Sequence, residues 1–317
     1  MTVRSTLAAR RAAAGGSEAV ARPWGGVVDH LVLLKPRVMS LVVFTGAVGF
    51  ALAPAQIDWM KLIATLSAMA AGAGACGALN MWWDADIDAN MARTAMRPIP
   101  RGVVPPLEAL AIGIVLAVVS VAALAIKANG LAAALLALTI AIYVPLYTMV
   151  LKRSTPLNIV IGGAAGALPP VIGWAAATSS VSAGPIAMFL IIFLWTPPHF
   201  WALALCRSGD YERVGVPMLP NVVGAAKTCR QIVAYSVLLV LASFGPLLIP
   251  GVGLLYGAVA IAANAGFLWR ALALYRLREG EESARRKAAM GLFGFSILYL
   301  FILFAAMLAE AILRGRV

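Results

Sequence analysis

Charged side chains are scarce in this sequence. They make up 12% of its 317 residues, with 13 Asp and Glu against 25 Lys and Arg. Hydrophobic residues account for 62% of the chain, which is more apolar surface than a soluble domain of this size needs. The composition therefore excludes an ordinary soluble protein and predicts one that lies largely within a lipid bilayer.

Cysteine is also rare. The three residues of this type, Cys76, Cys206 and Cys229, lie far apart in the chain. Three scattered thiols exclude a disulfide framework and a zinc site of the usual spacing. We interpret them as small apolar residues without a chemical role.

Long apolar runs dominate what remains. Runs of roughly 17 to 25 residues qualify as membrane-spanning helices, and we count nine of them. They cover approximately 38–54, 60–82, 107–126, 131–151, 157–177, 184–206, 231–249, 251–269 and 290–312. We therefore predict an all-α polytopic membrane protein of about nine transmembrane helices, with residues 29–317 forming a single transmembrane domain.

Lys and Arg lie mostly on one side of these spans. The N-terminal segment and every second loop hold 21 of the 25, and the opposite side holds the other four: Lys61, Lys127, Arg314 and Arg316. The positive-inside rule then places the N-terminus in the cytoplasm and the C-terminus outside. Because the basic residues are spread over five cytoplasmic segments, we predict no binding to nucleic acid.

Residues 1–28 are rich in Ala, Arg and Ser and lack an apolar core of signal-peptide length. We interpret them as a disordered cytoplasmic N-terminal tail. A mitochondrial transit segment is the alternative, since four arginines with a single Glu suit that composition.

The densest cluster of acidic residues lies where the second span ends, in NMWWDADIDANMARTAMRPIPRG at 80–102. Asn80, Asp84 and Asp88 recur every four residues, so on a helix they form one stripe. Side-chain oxygens at this spacing suit a hard divalent cation. Asp86 points nearly opposite if the helix continues, and joins the stripe if the helix has ended. A solvated helix end is the alternative interpretation.

Arg93, Arg97 and Arg101 follow at the same interval, although Pro98 and Pro100 disfavour a regular helix there. Guanidinium groups match phosphate oxygens in pairs, so the segment suggests a magnesium diphosphate held between carboxylates and arginines. Further basic residues at helix ends could reach the same surface, namely Lys35, Lys152 and Arg153. The alternative is that all of these are ordinary basic residues of cytoplasmic loops.

A third candidate site is LWTPPHFWALAL at 194–205. Pro197 and Pro198 break the backbone hydrogen bonds of a span, which is typical of a cavity wall. His199 follows among aromatic residues. It could be a general base, a contact to a planar aromatic substrate, or a packing residue. The next basic loop adds two candidates, Asp210 and Tyr211. Four spans separate this loop from the acidic one, so two related halves would bring both loops over one cavity.

These segments together resemble the UbiA-type intramembrane prenyltransferases, and within them the group that farnesylates protohaem IX. NMWWDADID matches the N-x-x-x-D-x-x-x-D motif of the family. The group is indicated by RPIPRG, YTMVLKRSTPLNIVIGGAAGALPPVIGWAA, WTPPHFWALAL and DYERVGVPMLP. The resemblance covers about residues 30–310 and implies nine helices around a central cavity open to the bilayer.

The resemblance implies Mg²⁺-dependent transfer of a farnesyl group from farnesyl diphosphate to a vinyl group of haem b, giving haem O for terminal oxidases. Asn80, Asp84 and Asp88 would bind the metal. The diphosphate would be bound by Asn80, Lys35, Arg93, Arg97, Lys152 and Arg153. Asp84, Asp88 and His199 are then the candidate catalytic residues.

The same resemblance implies haem A synthase or terminal oxidase assembly factors as partners. It implies the bacterial cytoplasmic (inner) membrane as the location, with the mitochondrial inner membrane as the alternative. Two other functions stay open: a UbiA-type enzyme for another aromatic acceptor, such as a quinone precursor, and a small polytopic transporter. The CDP-alcohol phosphotransferases are excluded, because no Gly follows Asp84 or Asp88 where their motif requires one.

The loop at 206–220, which follows the sixth predicted span and which we call the second loop, departs from the family pattern. Many relatives carry an aspartate pair there, whereas RSGDYE offers only Asp210, with Arg207 and Tyr211 at the corresponding positions. The sequence therefore leaves open whether a second magnesium site exists.

Overall fold

The structure, a computed structural model, describes residues 26–315, apart from the side chains of residues 37 and 38. The predicted tail at 1–28 thus lies almost entirely outside the described residues. Between residues 26 and 315 the regular structure is helical throughout, so the prediction of an all-α protein is confirmed.

The helices are α1 (Val27–Leu33), α2 (Pro36–Ala51), α3 (Trp59–Trp83), α4 (Ala85–Ala89), α5 (Pro106–Lys127), α6 (Gly130–Ala141), α7 (Asn158–Ala167), α8 (Pro169–Thr178), α9 (Ala183–Cys206), α10 (Ser208–Arg213), α11 (Leu219–Ala242), α12 (Leu254–Arg276) and α13 (Glu282–Leu313). A π-helix, Ile142–Leu151, and a last turn, Lys152–Ser154, continue α6 without a break. A short 3₁₀ helix, Gly245–Leu248, follows α11.

Eight helical segments within residues 26–315 are long and apolar enough to cross a membrane. The ninth apolar helix is α2, whose 16 residues fall short of the usual span of about 20. Each of the nine predicted spans coincides with an apolar helix or, for 131–151, 157–177 and 231–249, with successive helical elements.

Two helices extend further than their apolar runs. α11 begins at Leu219, is kinked at Gly224 (φ 82°), and continues from there as the helix whose apolar run predicts 231. α13 begins at Glu282, although its run predicts 290. Both extensions carry charged side chains, among them Lys227 and Arg286. Hydropathy detects only the part of a helix that faces lipid, so it misses a charged first part of the same helix.

Glycines let α2 and α8 approach closely. A Cβ atom at Gly49 would overlap the backbone of Pro170, and one at Gly173 would overlap the carbonyl of Gly46. Small residues at a helix contact are typical of membrane bundles, where close backbone packing replaces the hydrophobic effect. This contact joins the first apolar helix to the middle of the chain.

The acidic loop and the second loop lie at the same end of the bundle. Ile87 of α4 and Val216 after α10 belong to one buried cluster. Cys206, the last residue of α9, donates from its Sγ to the Arg286 carbonyl at 3.4 Å, which places the start of α13 there too. We call this end of the bundle, with the segments 84–105, 152–157 and 207–218, the acidic end.

Candidate active site

The acidic stripe, which consists of Asn80, Asp84 and Asp88, crosses the junction of α3 and α4. α3 ends at Trp83, yet Asp84 N still donates to the Asn80 carbonyl at 3.0 Å and Asp88 N to the Asp84 carbonyl at 2.8 Å. This bond from each residue to the fourth before it is that of an α-helix, so the three side chains stay on one face. Asn80, Asp84 and Asp88 are only 5%, 0% and 2% exposed, respectively. Carboxylates buried to this degree need partners.

Each member of the stripe has its own basic partner at 2.5 Å: Lys35 for Asn80, Lys152 for Asp84 and Arg97 for Asp88. The three partners come from separate parts of the chain: the α1–α2 junction, the turn after the π-helix, and the loop that follows α4. The Asn80 amide also donates to Asp84 Oδ2 at 2.6 Å. The structure thus brings six predicted residues into one charged cluster.

Lys35 adopts an uncommon backbone conformation. It lies between α1 and α2 at φ 53° and ψ 56°, in the left-handed region that non-glycine residues rarely occupy. Burial, reinforced by the charges of Arg97 and Lys152, lowers the pKa of the Lys35 amine to about 7. Backbone strain of this kind concentrates at functional sites.

Asp86 points away from the stripe, and its side chain is 63% exposed. Arg153 binds both of its carboxylate oxygens, at 2.8 and 2.7 Å, and this pairing lowers the pKa of the Asp86 carboxyl. Arg153 Nη2 also lies 3.7 Å from Asp84 Oδ1. Of the two alternatives for Asp86, the continuing helix is therefore the one observed, and Asp86 orients Arg153.

The three spaced arginines do not converge. Arg97 pairs with Asp88, whereas Arg101 lies 3.7 Å from Asp29 of α1. Arg93 is exposed. After α4 the chain runs through turns, and a four-residue interval places side chains on one face only within a helix.

The second loop reaches the acidic end through a tyrosine. Tyr211 packs in one cluster with Ile87 of α4 and Tyr147 of the π-helix. Asp210, by contrast, lies 3.7 Å from Arg213 of its own short helix. The predicted meeting of the two loops is thus observed, with Tyr211 rather than Asp210 at the contact.

His199 lies in α9 and packs against α13. Its ring stacks on Trp195 and on Phe293, with ring centroids 4.2 and 4.6 Å away. Nδ1 lies 2.6 Å from Ser296 Oγ, and that hydroxyl donates to the Phe293 carbonyl at 2.6 Å. Because the hydroxyl has a single proton, this network assigns the hydrogen to His199 Nδ1 and leaves Nε2 as the acceptor.

Pro197 and Pro198 do not interrupt α9, which runs as one helix from Ala183 to Cys206. The prolines remove two N–H donors, but a membrane helix can continue where neighbouring helices enclose the freed carbonyls, and both prolines are buried. Ala204, five residues after His199, packs in the Ile87 cluster. At the helical rise, His199 therefore lies about 7.5 Å further from the acidic end along α9.

Known proteins resemble this chain over most of its length. Residues 42–301 match the model of the UbiA prenyltransferase family. The chain belongs to this family. Among similar proteins, the protoheme IX farnesyltransferase of Parvibaculum lavamentivorans is 57% identical over 289 residues, which are 91% of this chain and 90% of the relative. That of Sinorhizobium fredii is 56% identical over 294 residues, 93% and 90% of the two chains. The resemblance seen in the motifs is confirmed.

Solved UbiA structures share the fold. Digeranylgeranylglyceryl phosphate synthase superimposes with a TM-score of 0.75 at 19% identity, over 90% of this chain and 98% of the other. A UbiA homolog from Archaeoglobus fulgidus, bound to DMAPP and Mg²⁺, gives a TM-score of 0.66 at 18% identity, over 88% and 99%. At such identities the structural similarity establishes the fold of this UbiA protein only. Its substrates have to be inferred from the residues of the site.

The acidic stripe of this UbiA-family protein suits Mg²⁺ held jointly with phosphate. Asp84 Oδ1 is buried and has no hydrogen-bond partner, so one carboxylate oxygen is open to a cation. No group of three or more His, Cys, Asp or Glu side chains among the described residues converges as a metal site. Mg²⁺ is commonly bound by one or two carboxylates together with substrate phosphates, and the stripe fits that arrangement.

One wall of the site was missed by sequence reasoning, namely the π-helix. The hydroxyl of Thr148 accepts from the Asn80 amide at 3.3 Å, and Tyr147 packs against the same buried cluster as Tyr211. Pro145 lies inside the π-helix, and π-helical segments are frequent at functional sites. The signal that could have found this wall is a proline within an otherwise regular apolar span.

Proposed function

We propose that this protein transfers the farnesyl group of farnesyl diphosphate to a vinyl group of protohaem IX (haem b), giving haem O. The observation that carries the proposal is the buried acidic stripe with one basic partner for each of its members. Relatives named for this activity, 56–57% identical over more than 90% of the chain, support the choice of acceptor.

The diphosphate would lie at the acidic end. Asn80, Asp84 and Asp88 would hold Mg²⁺, which when bound neutralises the charge on the departing diphosphate. The diphosphate oxygens would be bound by Lys35, Arg97, Lys152 and Arg153. Arg93 is exposed in the same loop and is available to a substrate that enters from the surface.

The acceptor would lie deeper, towards His199. The bond between farnesyl C1 and the diphosphate oxygen breaks, and C1 bonds to the terminal vinyl carbon of the haem. Water adds to the other vinyl carbon and loses a proton. Tyr147 and Tyr211 would exclude water from the first step, and His199 Nε2 would accept the proton in the second.

The protein would lie in the bacterial cytoplasmic membrane, which the eight long apolar helices between residues 26 and 315 and the bacterial relatives support. The distribution of Lys and Arg, 21 against four, favours a cytoplasmic N-terminus and acidic end. The mitochondrial inner membrane is the alternative location. The proteins that would use haem O, haem A synthase and terminal oxidase assembly factors, would be its partners.

The deciding experiment incubates the purified protein with haem b, farnesyl diphosphate and Mg²⁺ and measures the product mass. We expect the mass of haem plus a farnesyl group plus a hydroxyl group, with one diphosphate released for each product. Transfer to a quinone precursor in place of haem would contradict the assigned acceptor. Absence of diphosphate release with any acceptor would contradict prenyl transfer and favour a transporter.

A further inference from the structure

The acidic stripe is closed by the protein's own cations. Asp84 Oδ2 accepts from Lys152 at 2.5 Å and from Asn80 at 2.6 Å, and Asp88 Oδ2 accepts from Arg97 at 2.5 Å. Lys152 and Arg97 therefore occupy one oxygen of each carboxylate and place a positive charge beside the other. Of the oxygens of Asp84, only the buried Oδ1 has no hydrogen-bond partner.

The charge of the cluster also disfavours a free cation. Three carboxylates, those of Asp84, Asp86 and Asp88, face four basic side chains, those of Lys35, Arg97, Lys152 and Arg153. The cluster thus has no excess of negative charge to attract Mg²⁺. Breaking a buried ion pair without replacing its partner is costly, so a metal alone would either be repelled by Lys152 and Arg97 or displace one of them at a loss.

A diphosphate changes this balance. It offers several anionic oxygens to which Lys152 and Arg97 can turn, and lysine and arginine both bind phosphate well. The oxygens that these side chains leave on Asp84 and Asp88 then become available. The metal and the diphosphate would complete each other's coordination, as is usual for Mg²⁺.

We propose that Lys152 and Arg97 keep the acidic stripe closed to a free divalent cation, and that a diphosphate opens it by taking over these two side chains. The inference rests on the proposed function, because it takes the diphosphate as the natural ligand. The site therefore binds its metal with the diphosphate and not before it, and Lys152 serves two anions in turn: Asp84 and then the substrate.

The test measures bound metal directly. Detergent-solubilised protein is equilibrated with radioactive Mn²⁺ as a probe, with and without inorganic pyrophosphate, and the metal retained with the protein on ultrafiltration is counted. We expect pyrophosphate to raise the apparent affinity for Mn²⁺ about tenfold or more, within the usual range of coupling between two sites. Free metal pyrophosphate passes the filter, so only protein-bound metal is counted.

Lys152→Met is the decisive variant. It should bind Mn²⁺ without pyrophosphate more tightly than the unmodified protein, and it should retain pyrophosphate less well. Arg97→Gln should act in the same direction, which keeps the test available if one variant does not fold. Lys127→Met is the matched control, since Lys127 is exposed at the end of α5, and it should leave both affinities unchanged.

Three outcomes would overturn the inference: Mn²⁺ retained equally well with and without pyrophosphate, unchanged metal affinity in both variants, or no metal retained under any condition. None of these readouts depends on product formation. A protein that forms haem O yet binds Mn²⁺ alone would retain the proposed function and lose this inference. Failure to form any prenylated product would count against the proposed function and leave the metal result standing.

Discussion

Asp84 is fully buried beside Lys152, and the desolvation cost of such an ion pair can exceed the attraction between its charges. We expect Asp84→Asn and Asp88→Asn each to lower turnover by about 10²- to 10³-fold, the loss typical when one electrostatic group of an active site is removed. The amide keeps the size of the side chain but cannot supply an anionic metal ligand. The measurement is haem O formation by mass spectrometry at matched expression in the membrane.

Asp86→Asn provides the control for that prediction. Asp86 lies between the two aspartates in sequence but points to solvent and binds Arg153. Its loss should reduce turnover far less than that of either neighbour. Activity close to that of the unmodified protein in Asp84→Asn or Asp88→Asn would rule out the metal role of the stripe.

His199 gives the residue-scale prediction for the acceptor. His199→Ala should impair haem O formation strongly while Mn²⁺-dependent retention of pyrophosphate stays near normal, because His199 contacts α13 and lies away from the diphosphate cluster. His30→Ala should be milder, since His30 lies on α1 before the first span. Loss of both readouts together would indicate misfolding, and full activity of His199→Ala would make it a packing residue.

At the scale of elements, α1 is held by a titratable contact. His30 Nε2 lies 2.6 Å from Glu108 Oε1, and Nδ1 lies 3.0 Å from the Gly26 carbonyl. Both ring nitrogens thus face acceptors, which favours the protonated ring, and the hydrogen bond to Glu108 is the main cause that raises the pKa of His30 above 6.5. The contact therefore stabilises the docked α1 fully below pH 6.5 and loses this effect as pH rises through the raised pKa.

We expect deuterium exchange in residues 26–35 to accelerate between pH 6 and pH 9 beyond the intrinsic rate change. Lys35 titrates in the same window, so His30→Gln is the necessary comparison. Glutamine can still donate to Glu108 but has no charge to lose. The contribution of His30 is the difference between the two proteins, and equal pH profiles would show that this histidine does not hold α1.

The same elements show what a sequence can predict. The stripe was predictable because Asn80, Asp84 and Asp88 belong to one nearly continuous helix, where spacing determines direction. Arg101 recurs at the same interval but lies near Asp29, because a loop follows α4 and spacing carries no direction in a loop. Tyr147 was missed because its position depends on a π-helix, whose extra residue per turn leaves little trace in an apolar sequence.

On the scale of the whole molecule, the predicted grouping of loops is observed. Ile87 and Val216 belong to one buried cluster, and the Cys206 thiol donates a hydrogen bond to the Arg286 carbonyl. The segments that carry most of the basic residues therefore lie at one end of the bundle. At the other end, the Asn129 side chain donates to the Ala175 carbonyl at 2.8 Å. The length of the apolar runs and the uneven distribution of Lys and Arg predict this arrangement, because the bilayer imposes both. Neither property shows which side chains pair within the bundle.

The side on which the acidic end lies is a prediction of charge alone. With 21 Lys and Arg on one side and four on the other, the acidic end should face the cytoplasm. Reporter fusions after residues 95, 180 and 317 should therefore read inside, outside and outside. Residue 95 follows α4 at the acidic end, and residue 180 follows α8 next to the α5–α6 connection.

An inside reading at 180 would be incompatible with the alternation of the spans. Opposite readings at all three positions would preserve the fold but place the diphosphate site on the far side of the membrane, away from a cytoplasmic supply of farnesyl diphosphate.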